Sequence, residues 1–493
     1  MLHQAFALLS AALSLAEPAA AIPPAAGRAE ARSAIVRFVH DGRFDEADGR
    51  LSESGPLPTG PDRDFLRALV VYWRLLYDES NPELRSEFES RLNAALASAG
   101  ARLDVTPGDA EALLWSGTAR LFLAELRASD RRPFAAAKEA RRARRALEAA
   151  TEADPGLADA SFGLGTVDVL SADLPSLAKG LGSLLGLSGN RERGLQALEH
   201  AAREGRLFSL EARLFLLGAR SSRKRREYDG ALRDCDLLAA ITPRSVVALD
   251  GAARVRIDLG AAPGASAELD AALAIAAGAP LTDRGVIANL LVQRARAELA
   301  LFRPDLALEW LRRLVPLGAR LPAATRKEGA EIARTAASAV SAPPWFADLG
   351  AAVGADASPP ADADDGTVPA SWRAALPALD LERKGESGRA ADRLADLASG
   401  SPADPVLALL AGRAELVAGR PVPARASLSL AESSPRLPRD WRGPCLLLEG
   451  SAADLAGDRA GAIALYRRAT DAPSFVGKEE AWLRLRIPYR GPS

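Results

Sequence analysis

Small and large apolar residues return along this chain with a period near 34. In the C-terminal third, Ala390 and Ala424 lie 34 positions apart and Ala424 and Ala462 lie 38 apart, the extra four falling in the Pro-rich turn before Trp441. Around them, Ala378, Gly412 and Gly450 share one small-residue position, Gly385, Gly419 and Gly457 a second, and Leu394, Leu428 and Tyr466 a large one. The middle of the chain repeats the theme. Ala231 and Ala265 are again 34 apart, with Cys235 and Leu269 at the large position, Ala219 and Ala253 at the small one and Gly260 at the turn, and Ala307 with Leu311 follows 42 residues on. A period of this length is one supersecondary unit that cannot bury its apolar face alone, so neighbours must stack into a continuous core.

The residue types say what the unit is. Small residues at the first and third positions let two helices approach closely, a Gly at the second closes the first helix, and the large residue fills the groove against the next hairpin. Composition agrees. Of 493 residues 48% are hydrophobic and 26% charged, while aromatics make up only 5%; Ala, Leu and Arg dominate and Val, Ile and Thr are thin, which favours helix over strand.

The period, with its order of small, small, small, large and then Pro, resembles the tetratricopeptide repeat (TPR) superfamily. That resemblance implies an all-α fold, an α-solenoid of helix-turn-helix hairpins wound into a right-handed superhelix. Upstream, Gly117 in LLWSGTARLFL and Gly163 in ASFGLGTVDVL read as first helices of hairpins, RRALEAATEADP as the end of a second helix, and 64–77 and 83–99 as degenerate units, for nine or ten hairpins in all. An LP-initiated apolar segment followed by GNRERGLQAL is also similar to exported bacterial TPR-containing proteins, over roughly residues 60–340.

Two segments break the period and set the expected domains. Residues 341–371, dense in Pro, Ala and Asp, read as a linker between an N-terminal array over 22–340 and a C-terminal array with a capping helix over 372–493. Within the first array, an apolar helix is expected at 174–189, with Leu174, Leu177, Leu181, Leu184 and Leu185 at helical spacing. Residues 1–21 have a twelve-residue apolar run and Ala19 and Ala21 at the spacing a signal peptidase reads. This predicts an exported, periplasmic protein; if 1–21 is instead a first helix, the protein is cytoplasmic. No other uncharged apolar stretch reaches the ~18–20 residues of a membrane span.

Several chemistries are poorly supported. Three His, two Cys and one Met leave few ligands for zinc, copper or iron–sulfur clusters, and no cofactor is expected. Lys plus Arg total 63 against 64 Asp plus Glu, so a general nucleic-acid binder is excluded. Gly189 and Gly194 have P-loop spacing, but Leu195 and Gln196 follow where Lys and Ser or Thr are required. Asp362, Asp364 and Asp365 imitate the start of a calcium loop, yet Arg373 occupies the place of its closing Glu. No G-x-S-x-G occurs, and His40 and His200 sit at helix ends as surface or capping residues. The chain is not expected to be an enzyme.

What remains is a binding surface. In repeats of this type the concave face is built from the first helix of each hairpin, and that register puts Arg220, Arg254, Arg296 and Arg413 at equivalent positions, with Leu379, Ser451, Thr118 and Leu164 in the other repeats. Arg213, Arg223 and Lys224 fall on the same face. Stacked guanidinium groups suit carboxylates or phosphates of an extended ligand. The expectation is therefore a non-catalytic protein–protein interaction scaffold that docks an acidic peptide or protein in its concave groove. The alternative places the same fold at a membrane surface through the 174–189 helix.

Overall fold

The computed structural model describes residues 28–53, 57, 60–78, 81–173, 188–222, 226–278, 284–317, 321–340, 342–353 and 367–491. The segment 1–21, the five leucines of the 174–189 helix, Arg223, Lys224 and the acidic run 362–365 lie outside them. Among the described residues there is no strand. Each helix but that at 346–353 packs on the next, and they pair into hairpins. The first six are α1 (Arg28–His40) with α2 (Phe44–Ser52), α3 (Pro61–Tyr77) with α4 (Pro82–Val105), α5 (Ala110–Ser129) with α6 (Pro133–Ala153), α7 (Ala160–Asp173) with α8 (Arg191–Glu204), α9 (Ser209–Ser221) with α10 (Tyr228–Ile241), and α11 (Val246–Asp258) with α12 (Ala262–Gly278). Five more follow: α13 (Arg284–Ala300) with α14 (Pro304–Arg312), α15 (Ala323–Val340) with α16 (Phe346–Val353), α17 (Thr367–Arg383) with α18 (Ser387–Gly400), α19 (Pro405–Val417) with α20 (Pro421–Ser433), and α21 (Arg439–Leu455) with α22 (Arg459–Asp471), capped by α23 (Lys478–Arg484). The all-α solenoid of stacked hairpins expected from the period is the observed fold.

The repeat positions pack small against large, but the large residue meets the small one of its own hairpin, where the spacing sets it against the next. Leu394, Leu428, Tyr466, Cys235, Leu269 and Leu311 are all fully buried, as are Ala231, Ala265, Ala307, Ala390, Ala424 and Ala462. A Cβ built on Gly412 would meet Leu428 Cγ at 2.6 Å, and one on Gly450 would meet Tyr466 Cε1 at 2.6 Å. Leu147 of α6 occupies the space left by two glycines at once, Gly117 and Gly163.

One backbone device recurs more widely than the glycines suggest. In the hairpins closed by Gly42, Gly260, Gly385, Gly419 and Gly457 that residue has φ between 74° and 85°, but in three others Arg131, Arg226 and Phe302 take φ of 57°, 53° and 61°. Each lies five residues before the small residue of the second helix. The next backbone N–H turns back to the helix just ended, as in Arg420 to Glu415 O at 2.8 Å, Asp458 to Ala453 O at 2.9 Å and Arg303 to Glu298 O at 2.8 Å. This is the six-to-one bond of a Schellman cap, which satisfies a carbonyl the helix end leaves open.

The described part of the 341–371 segment is not linker-like. Residues 346–353 form α16, whose Phe346, Leu349 and Val353 are buried, and α17 begins at Thr367. Spacing of three and four between these apolar residues puts them on one helix face, so the segment contributes the second helix of a hairpin. A single core runs from α13 through α16 to α21.

The solenoid is wound tightly enough to touch itself. Helix α1 meets α11, and α3 meets α13; Ser245 Oγ donates to His40 O at 2.9 Å. His40 is thus no surface cap. It is 8% exposed, lies edge-on to Trp73, and its Nε2 is 2.9 Å from Glu211 Oε1. At the other end, the chain after α22 returns across the groove to the middle of the first array. There Tyr228 donates to Glu479, Arg226 lies 3.9 Å over the Trp482 ring, and Leu483 enters the core of α9, α10 and α11.

Candidate functional site

The first helices of the hairpins face inward, and between α3 and α15 they enclose a cavity of about 440 Å³. One wall is aromatic, with Tyr72, Trp73 and Tyr77 from α3, Phe122 from α5 and Phe162 from α7. Its rings pack closely: Tyr72 lies 4.6 Å from Phe122 between centroids and 5.7 Å from Trp73, within the range that adds to area burial. The facing wall is polar, formed by Glu211 of α9, Asp250 and Arg254 of α11, Asn289 of α13 and Glu328 of α15. A second cavity of about 370 Å³ shares Glu328 and runs on to Arg296, Trp441 and the returning segment at Phe475 and Val476. The inner face is therefore divided into two compartments.

The four registered arginines share one position relative to the helix ends. Arg220, Arg254, Arg296 and Arg413 each stand six residues before a left-handed cap, at Arg226, Gly260, Phe302 and Gly419. Their guanidinium groups are engaged within the chain. Arg220 Nη1 donates to both Asp234 oxygens at 2.7 Å and Nη2 to Glu199 Oε1 at 2.5 Å. Arg254 Nε donates to Asp250 Oδ2 at 3.2 Å, and its terminal nitrogen donates to Asn289 Oδ1. Arg296 pairs with Asp258 and lies 3.7 Å from Glu328. Arg413 forms a bidentate pair with Glu382 at 2.7 and 2.8 Å beneath the Phe302 ring, and Arg213 donates to Ala202 O. The expected basic stripe is a row of ion pairs: for Arg220, Arg296 and Arg413 the partner lies on another helix that the sequence does not bring together, while Asp250 pairs with Arg254 within α11.

The carboxylates of the first cavity are the residues that sequence reasoning missed. Asp250 precedes Arg254 by four residues, a spacing that flags a pair on one helix face, but nothing in the sequence sets Glu211 and Glu328 beside it. Glu211 and Asp250 are 5% and 7% exposed. Burial pushes the Asp250 carboxyl above the usual carboxylate range, and the charge of Arg254 opposes this only in part. Glu211 Oε2 and Asp250 Oδ1 have no hydrogen-bond partner among the described residues.

The cysteines offer no nucleophile. Burial pushes the Cys235 thiol up to about 12 and raises Cys445 as well, and each Sγ contacts a backbone carbonyl; a reactive cysteine needs a depressed value and access. Among the described residues no three His, Cys, Asp or Glu side chains come together as metal ligands. No described helix is long and apolar enough to cross a membrane.

No family model matches the sequence, and no curated protein does. Solved structures to which the chain is similar include the TPR domain of P58(IPK), at 14% identity and a TM-score of 0.23 over 82% of this chain and 94% of that one. Another is Naa15/Naa10 bound to HypK-THB, at 15% identity and a TM-score of 0.19 over 90% of this chain and 75% of that one.

Proposed function

We propose that this protein is a non-catalytic interaction scaffold that docks a segment of a partner protein against the inner face of its first eight hairpins. The observation that carries the reading is the cavity between α3 and α15, a concavity of about 440 Å³ with one aromatic wall and one polar wall. Pockets of this size and make-up, apolar with a few convergent polar groups, are where ligands are held. Leu76 stands at its edge, 39% exposed, as an apolar side chain without cover.

Charge modifies the expectation of an acidic partner. Asp250, Asp258 and Glu328 already pair with Arg254 and Arg296, so a carboxylate ligand competes with them there. The paired arginines serve first to hold successive hairpins in register. The test is a peptide array probed with the full chain, followed by Leu76→Glu. Peptides that dock in the cavity lose binding by about tenfold or more, one decade being ~1.4 kcal/mol, while Val105→Glu, on an exposed site of α4, leaves it unchanged. Equal effects of the two substitutions place docking elsewhere and overturn the reading.

A further inference from the structure

We propose that the α3–α15 cavity is a binding site for an organic cation, an ammonium or guanidinium group carried on an aliphatic stem. This names the ligand chemistry of the docking face proposed above and rests on that reading for the way in. The cavity is lined by three carboxylates, Glu211, Asp250 and Glu328, and by one cationic side chain, Arg254. Its wall thus carries a formal charge of three negatives less one positive, or −2.

Two of those carboxylates are unfinished. Glu211 Oε1 meets His40 Nε2, and Asp250 Oδ2 accepts from Arg254 and Asn289, but the second oxygen of each is buried with no partner. Burying an acceptor without a donor costs about 1–3 kcal/mol, more when it is charged, so a group that brings several N–H donors and a positive charge is the complement of this wall. Arg254 already shows the solution in part, since it bonds Asp250 and Asn289 together. A second cation from a ligand repeats it once those oxygens, which have almost no accessible surface in the free protein, turn toward the cavity.

The opposite wall favours the same chemistry. Tyr72, Trp73 and Tyr77 present ring surface to the cavity, and a cation within ~6 Å of such a ring gains about 0.5–2 kcal/mol, most when water is excluded. Leu76 and Phe162 offer apolar surface for the stem. A bare metal ion fits poorly, because the three carboxylates do not gather as a ligand group; an extended organic cation has donors far enough apart to serve them separately. An anionic ligand meets an excess of negative charge.

Calorimetric titration of the full chain tests this with three probes: a capped Gly-Arg-Gly peptide, the same peptide with neutral citrulline in place of Arg, and spermidine. The expected result is that the Arg peptide binds about tenfold or more tighter than the citrulline peptide. Glu211→Gln and Asp250→Asn, which keep shape and remove charge, each remove about tenfold or more of that preference. Because Glu211 also meets His40 and Asp250 also pairs with Arg254, the melting temperature of each variant is measured alongside, and binding is compared where both proteins are folded. Binding of the peptide but not spermidine assigns the cation to a partner's side chain; binding of spermidine assigns it to a free polyamine. Equal binding of the Arg and citrulline peptides, unchanged binding by the variants, or no binding of any probe at millimolar concentration overturns the proposal, and water or a proton then satisfies the two oxygens. If array peptides still depend on Leu76 in that case, the scaffold reading stands and this one alone fails.

Discussion

The segment that crosses back from α22 to the first array closes the solenoid, and two substitutions there test whether the closure is real. Leu483 is 4% exposed in the core of α9, α10 and α11, and Trp482 lies under Arg226. Replacing both with Ala removes a buried Leu, worth about 2–5 kcal/mol, and a cation–π contact worth about 0.5–2 kcal/mol. The anchors to the last hairpin are untouched, since Arg459 still donates to Arg484 O at 2.7 Å and the Tyr489 N–H to Asp454 at 2.9 Å. Only the far side of the strap is therefore released. At ~1.4 kcal/mol per decade, a combined loss of about 2.5–7 kcal/mol speeds opening by about 60-fold to 100,000-fold. Hydrogen exchange is expected to rise by that order over α10 and α11 while α5 and α6 keep their protection, and the radius of gyration by solution scattering increases. Gly260→Ala attacks the same contact from the other side, because its Cβ would fall 1.9 Å from Glu480 Oε2 and its φ is +81°. Unchanged exchange over α10 and α11, or an equal rise over α5 and α6, refutes the closed arrangement.

Three further outcomes follow from the packing and the charges. Gly412→Ala brings a Cβ to 2.6 Å from Leu428 Cγ and 2.9 Å from Ala424 O, an overpacking worth about 1–3 kcal/mol, whereas Gly400→Ala has nothing within 4 Å and raises stability by about 0.5–1 kcal/mol; urea melts that rank the two the other way contradict the repeat assignment. Asp168, buried between Arg144 at 2.6 Å and Arg193 at 2.6 and 2.9 Å, has its carboxyl held below the usual range: burial raises it, and the two guanidinium groups outweigh burial. Its contribution is present above the unfolded value near 3.8 and is lost as pH falls through the lower folded value, so Asp168→Asn costs about 3–5 kcal/mol at neutral pH and the gap to the parent closes in acid; a gap independent of pH counts against the triad. Neither thiol reacts with Ellman's reagent within minutes at pH 8 unless urea is added, and one equivalent of fast labelling in the native state sinks the account of Cys235 and Cys445 as core residues.

Much of the fold is legible in the sequence because the hairpin's packing is local. The small and large positions meet within one repeat, as Gly412 and Leu428 do, although the spacing sets the large residue against the next. What was hidden is where side-chain identity and backbone shape part company. A glycine announces a left-handed cap at Gly385, Gly419 and Gly457, but Phe302 takes the same conformation with φ of 61°, at a cost of about 1–2 kcal/mol for an L-residue. Its ring lies 5.3 Å from Trp441 and under the Arg413 guanidinium, and the neighbouring Arg303 binds Asp380 at 2.9 Å. Those contacts between hairpins far apart in the sequence offset the strain, and none is within reach of a periodicity argument. Helix α16 was hidden for a different reason: its three buried residues sit in a stretch whose Pro, Ala and Asp content reads as linker.

Charge was the least legible quantity, and its arrangement decides the functional reading. The register puts Arg220, Arg254, Arg296 and Arg413 at one repeat position, yet their partners stand 14, 4, 38 and 31 residues away, at Asp234, Asp250, Asp258 and Glu382. Three of those four separations join different helices, so a count of basic residues on one face says nothing about the carboxylates that neutralise them. The same geometry leaves the imbalance elsewhere. Around the first cavity the carboxylates exceed the guanidinium groups by two, and the excess is buried against rings rather than spread in water. Screening, which mutes exposed charges beyond about 10 Å at ordinary salt, acts much less on such buried groups. The cavity lining therefore concentrates an excess of carboxyl groups inside a chain whose formal charge is −1. If binding there depends on charge, it weakens when a carboxylate of the cavity is neutralised and stays when a surface carboxylate such as Asp236 is. That comparison separates a built site from the general balance of the chain.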